Sequence, residues 1–113
     1  MLAVILGGCA RPAPRWEPTG SAKTKHAFMR EVVNPEMQAL FRRWDRHRYP
    51  RLGCETCHGH EGFAMPNDDL RLEPEALAGD GPMLRFMRDE VTPAMSRLLG
   101  RKADCWTCHA RDE

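Results

Sequence analysis

Aromatic side chains are scarce in this chain of 113 residues: Phe, Trp and Tyr together supply 7%, with a single tyrosine. Long apolar runs are missing too, and nothing approaches the roughly 20 residues that a membrane-spanning helix needs. Neither sign of charge dominates, with 17 basic residues against 16 acidic ones and a formal net charge of +1. On that balance no basic cluster stands apart from compensating acids, which argues against a nucleic-acid footprint. No segment alternates apolar and polar residues long enough to predict a strand. What remains is one small domain that is essentially all-α. A chain this short, with few bulky side chains, is expected to need a staple beyond its own core.

The cysteines point to what that staple is. Of five, Cys54 pairs with Cys57, Cys105 pairs with Cys108, and Cys9 stands alone near the start. Each pair runs directly into a histidine, giving Cys54-Glu55-Thr56-Cys57-His58 and Cys105-Trp106-Thr107-Cys108-His109. Two residues between the sulfurs make one helical turn that presents both to the two vinyl groups of one porphyrin. The histidine that follows is placed to bind the iron. A zinc site built from the four paired cysteines is the main competitor. The gap between the pairs, however, is much longer than the roughly 15–20 residues of zinc ribbons, and zinc gives no reason for the two histidines. A thioredoxin-type CxxC would need a βαβ setting that the sequence does not offer.

Met1 to Gly8 is short and apolar, and Leu6-Gly7-Gly8-Cys9 resembles a bacterial lipobox, which implies lipidation of Cys9. No basic residue precedes it, a departure from the usual export signal. The stretch after Cys9 is rich in proline and small polar residues, a composition suited to a tether. The expected organisation is an export signal over 1–8, a lipidated cysteine and tether over 9–24, and a haem-bearing domain over 25–113.

Within that domain the sequence repeats. Phe28 to Phe41 (FMREVVNPEMQALF) aligns without gaps on Phe86 to Leu99 (FMRDEVTPAMSRLL), and seven of fourteen positions are identical. Each copy precedes a CxxCH, so repeat units of about 25–62 and 82–113 are expected, each reading helix, turn, helix, connector, haem site. Asn34 and Thr92 read as N-caps, with Pro35 and Pro93 in the first turn behind them. The second helix of each unit carries its apolar face at Met37, Leu40, Phe41 and Trp44, or at Met95, Leu98 and Leu99. Gly100 ends the latter helix, and Asp80 is a candidate cap for the helix before it. The acidic stretch Gly59 to Gly81 reads as a solvated cover over the first haem. Recurring Arg30 and Arg88 are either solvated or paired with haem propionates.

Only four residues follow His109, so a sixth ligand for the second iron from its own unit must lie upstream. Met87 and Met95 qualify there, and Met29 and Met37 are their counterparts in the first unit. Met65, shortly after His58, is a rival for the first iron. Packing is the ordinary role of the remaining methionines. His26, His47 and His60 have no counterpart in the second unit and read as surface residues.

A methionine-bearing helix ahead of each CxxCH resembles the multihaem c-type cytochromes, in particular the cytochrome subunit bound to bacterial photosynthetic reaction centres. The resemblance covers most of the chain after Ser21. It departs in having two motifs rather than four, and in a longer interval from Met37 to Cys54 than from Met95 to Cys105. It implies thioether links at Cys54, Cys57, Cys105 and Cys108, proximal ligands His58 and His109, sixth ligands Met37 and Met95, and two haem c groups. The implied function is electron relay in the bacterial cell envelope, on the periplasmic or outer side, with redox proteins as partners and no catalysis; the lipid anchor expected there follows from the lipobox-like segment at Cys9. Alternatives are an open-coordination haem enzyme or gas sensor, and an electron-transfer subunit of a larger complex or cytochrome polymer.

Overall fold

The computed structural model describes residues 15–59 and 65–112. Cys9, the proposed export signal and His60 lie outside them. In chain order the elements are α1 (Ala22–Phe28), a π-helical turn (Met29–Val33), α2 (Asn34–Trp44), α3 (Cys54–His58) and β1 (Asn67–Leu72). A 3-10 turn (Pro74–Ala78), α4 (Pro82–Phe86), a second π turn (Met87–Val91), α5 (Thr92–Leu99), α6 (Cys105–Cys108) and β2 (His109–Arg111) follow. No helix among the described residues is long and apolar enough to cross a membrane.

The helix–turn–helix expected in each unit is instead one continuous helix that widens in its middle. Asn34 and Thr92 are not N-caps: both have right-handed helical φ/ψ, and their N–H groups donate to the carbonyls of Met29 and Met87, five residues back. The prolines explain the widening. A proline inside an α-helix lacks the N–H for its own bond, and its ring collides with the carbonyl one turn earlier. A π turn just ahead of Pro35 and of Pro93 shifts that carbonyl away and lets the helix continue. The real start of the first helix is Ser21, whose hydroxyl accepts from the Thr24 N–H at 3.1 Å. Gly81, not Asp80, precedes the second helix, and Asp80 sits 3.9 Å from Arg85. Gly100 does end α5. It adopts φ +65°, and the N–H groups of Gly100 and Arg101 donate to the carbonyls of Arg97 and Ser96 in a Schellman closure.

These two helices pack on each other around their wide turns: α2 meets the second π turn, and α5 meets the first. The core between them holds both copies of the repeated phenylalanine, Phe28 and Phe86, with Val33, Met37, Leu40, Phe41 and Leu99. Phe86 stacks on Trp44 with ring centroids 4.5 Å apart and meets Phe41 edge-on at 5.0 Å. An exposed ion pair between Glu36 and Arg97 also joins the two helices, worth at most about 1 kcal/mol at such exposure.

An all-α architecture packed around two haems does not describe this fold. β1 and β2 form a two-stranded parallel sheet, with Asn67 opposite His109 and Leu72 opposite Arg111. The described core is built mainly from side chains of the two helices, with Leu52 from the loop ahead of α3. The presumed loop Gly59 to Gly81 therefore contains both β1 and the 3-10 turn. Period-2 patterning fails to reveal the pair because β1 reads Asn-Asp-Asp-Leu-Arg-Leu and buries only its first residue. The strand is held through Asn67 and the backbone rather than through an apolar face.

The left-handed conformation of Gly100 leads to a small stability prediction. A Cβ there meets no atom within 4 Å, so backbone conformation alone sets the effect. Gly100→Ala should cost about 1 kcal/mol, read as a lowered urea midpoint at unchanged m-value.

Candidate haem-attachment sites

Both CxxCH segments form single helical turns, α3 and α6, and the threonine between the cysteines helps to start each. The Gly53 N–H donates to Thr56 Oγ1 at 3.3 Å, and the Asp104 N–H donates to Thr107 Oγ1 at 3.0 Å. The second turn is capped more fully, because Asp104 Oδ1 accepts from the N–H groups of Trp106 at 2.9 Å and Thr107 at 3.1 Å. Upstream, the Ser96 hydroxyl accepts from the Ala103 N–H at 2.9 Å and donates to its carbonyl at 3.3 Å. That clamp folds the connector back along α5 and sets α6 beneath it.

As a result Met95, Met87, Cys105, Cys108 and His109 line one shallow cleft. The His109 ring is oriented by β1, its Nδ1 lying 2.9 Å from the Leu70 carbonyl oxygen. A proton on Nδ1 satisfies that carbonyl and leaves Nε2 as the lone-pair nitrogen, the tautomer a metal-binding histidine requires. Paired sulfurs, an imidazole fixed in that way and a thioether on the same cleft fit a His/Met haem c.

The first site is tied to the same strand. Asn67, buried at 5% exposure, donates from Nδ2 to the Cys57 carbonyl at 2.8 Å and accepts from the Asp69 N–H on Oδ1 at 2.9 Å. Gly59 leaves the motif at φ +74°, where a Cβ would meet the Asn67 and Asp69 side chains. Only glycine lets that cover close. In the second motif Ala110 follows the histidine in strand conformation and is buried.

Met65, half-buried, stands two residues before the clamp on Cys57. Met37 lies elsewhere, 3% exposed in the helical core among Phe28, Val33 and Phe41. Structure thus gathers Met95 with its CxxCH, places Met65 on the segment fastened to the first motif, and places Met37 between the helices. Of the recurring arginines, Arg88 donates to the Leu77 carbonyl at 3.4 Å and Arg30 lies 3.5 Å from Glu31. His26 and His47 are exposed.

Burial, then the neighbouring Cys108 and Cys54, pushes the Cys57 thiol up to about 11, and burial also raises that of Cys108. Both are protonated near neutrality, the opposite of what a thiolate nucleophile needs. The influence of Cys108 on Cys57 reflects two motifs each joined to the β1–β2 pair. No group of three or more His, Cys, Asp or Glu among the described residues is arranged to hold a metal ion, so the four-cysteine zinc arrangement gains nothing from the geometry.

Sequence reasoning missed Asn67 and the Leu70 carbonyl as supports for the two histidine loops. The buried asparagine offered a faint signal, but a backbone carbonyl offers none. No protein-family model, curated protein or solved structure matches this chain.

Proposed function

We propose that this protein is a dihaem c-type cytochrome that relays electrons in the bacterial cell envelope. The observation that carries the reading is the second site, where Met95 and His109 line one cleft beside Cys105 and Cys108 while the Leu70 carbonyl holds His109 Nδ1. Bound haem would supply a one-electron iron couple; everything else falls to the chain. Cys54, Cys57, Cys105 and Cys108 would hold the two groups covalently, and His58 and His109 would ligate from one side. The fixed His109 tautomer strengthens its imidazole as a donor. A methionine as the second protein ligand would raise the potential and close the iron to small molecules, which would favour electron carriage over catalysis.

For the sixth ligands, placement supports Met95 at the second site. At the first it supports Met65 over Met37, whose thioether is embedded in the helical core. Export and lipid anchoring at Cys9 complete the proposal, and they rest on the lipobox-like segment alone.

Expression with a bacterial cytochrome c maturation system tests the core of it. The purified chain should retain haem stain through denaturing electrophoresis and show the mass of two haems. Cys54→Ala/Cys57→Ala and Cys105→Ala/Cys108→Ala should each retain one. A chain that leaves the maturation system with no covalent haem would refute the reading, and readily formed carbon-monoxide complexes would favour the open-site alternative.

A further inference from the structure

Arginine is not spread evenly over this surface. Between Arg42 and Arg51 the chain reads Arg-Arg-Trp-Asp-Arg-His-Arg-Tyr-Pro-Arg, five arginines against one acid, a concentration that the near-zero net charge conceals. All five are exposed. Several arginines elsewhere meet an acid or a ring: Arg71 lies 3.5 Å from Asp68, Arg85 lies near Asp80, Arg97 pairs with Glu36, and the Arg111 guanidinium sits 4.5 Å over the Trp106 ring. Within the cluster, the Arg48 guanidinium lies 5.7 Å over the Tyr49 ring, a contact that leaves its charge unneutralised. Among the described residues no carboxylate lies within ion-pair distance of Arg42, Arg43, Arg46, Arg48 or Arg51. The lone acid, Asp45, is turned to the backbone, its Oδ1 accepting from the His47 and Arg48 N–H groups at 3.1 Å each.

A helix C-terminus attracts cations, which accounts for Arg42 and Arg43 in the last turn of α2. It does not account for Arg46, Arg48 and Arg51, which lie beyond the helix. Nor is their segment loosely held. Tyr49 meets Phe41 edge-on at 5.0 Å and its N–H donates to the Asp45 carbonyl, while Leu52 is 5% exposed in the core. The arginines are thus presented by an anchored loop that runs through Gly53 directly into the first CxxCH turn.

We infer that residues 42–51 form a docking surface for an acidic protein partner beside the first haem site. Guanidinium groups suit carboxylate clusters through paired hydrogen bonds, and unpaired surface charge of one sign speeds encounter. Two other polyanions fit less well. A membrane-surface segment needs apolar residues to insert, yet Trp44, Tyr49 and Leu52 all pack toward the core. Single-stranded nucleic acid needs exposed aromatic rings for stacking, and the two rings here are engaged with Phe86 and Phe41. That the partner is a redox protein rests on the proposed function; the acidic character of its surface does not.

The test uses the full haem-loaded chain and fluorescein-labelled poly-L-glutamate, with binding followed by anisotropy at low and moderate salt. Arg46→Glu/Arg48→Glu/Arg51→Glu should weaken binding on the order of tenfold or more at low salt and flatten its salt dependence. Arg42→Glu/Arg43→Glu should act in the same direction, which guards against a loop disturbed by loss of the Arg48 guanidinium from over the Tyr49 ring. Arg15→Glu/Arg85→Glu/Arg101→Glu changes the net charge as much as the first variant and should change binding less than about twofold. Equal weakening by that control, or tighter binding to phosphatidylglycerol vesicles than to poly-L-glutamate, would overturn the inference. Haem staining of the same preparations reports separately on the dihaem reading, so either idea can fail alone.

Discussion

Met95→Ala is expected to remove half of the far-red sulfur–iron absorbance of the oxidised, haem-loaded protein and to convert one iron to a high-spin signal. Met95 lines the cleft shared with Cys105, Cys108 and His109, so under the proposed reading its loss would remove a thioether ligand from that iron. Met65→Ala should remove the other half. Met37→Ala should behave differently: a methionine 3% exposed among aromatic and branched neighbours should cost roughly 2–5 kcal/mol on truncation while leaving the band intact. The repeat and the resemblance carry the ligand role to Met37, because it matches Met95 position for position, whereas the burial of Met37 in the helical core favours Met65 in our proposal. Optical spectra and low-temperature electron paramagnetic resonance on the three variants decide between them. Loss of the band in Met37→Ala at unchanged stability would restore the symmetrical assignment.

That the two units differ at this point reflects how their shared helix is used. Phe28 and Phe86 occupy equivalent places in a core built across the repeat, but α2 is longer than α5 and runs on into the basic loop. The connector after α5 is instead pulled back at once by Ser96 and Ala103. Met95 is therefore left at the rim over its motif while Met37 is enclosed. A sequence repeat shows that two segments are related. It does not show that their partners are, because those depend on connector length and on clamps such as Ser96 that the first unit lacks.

Other parts of the molecule were legible or hidden for equally local reasons. The apolar stripes of both helices, the glycine stop at Gly100 and the two helical CxxCH turns follow from short-range patterns, and the structure shows them. Asn34-Pro35 and Thr92-Pro93 misled because cap-plus-proline reads the same at a helix start and behind a π turn; only hydrogen bonds to Met29 and Met87 separate the cases. The strand pair left no alternation to read, since Asn67 alone is buried along β1. The arginine cluster was averaged away by summing charge over the whole chain.

Asn67 links these late findings to function, and its replacement is the second large effect expected. Its side chain clamps the Cys57 carbonyl, its backbone pairs opposite His109, and three residues on the Leu70 carbonyl orients the His109 ring. One strand thus fastens the first motif at Cys57 and the second at His109. Asn67→Ala forfeits two part-buried hydrogen bonds, to the Cys57 carbonyl and from the Asp69 N–H, a cost of about 1–3 kcal/mol. Asn67→Asp should be worse although it is nearly isosteric. The carboxylate still accepts from Asp69, but it replaces the donor with negative charge against the Cys57 carbonyl in a site only 5% exposed, and burial of an unpaired charge is costly. The informative readout is spectroscopic. If β1 is shared support, the g-values and midpoint potentials of both haems should move in Asn67→Asp, while Met95→Ala alters chiefly one. A change confined to the first haem would show that the strand pairing carries no such influence to His109, leaving the clamp on Cys57 as a local contact.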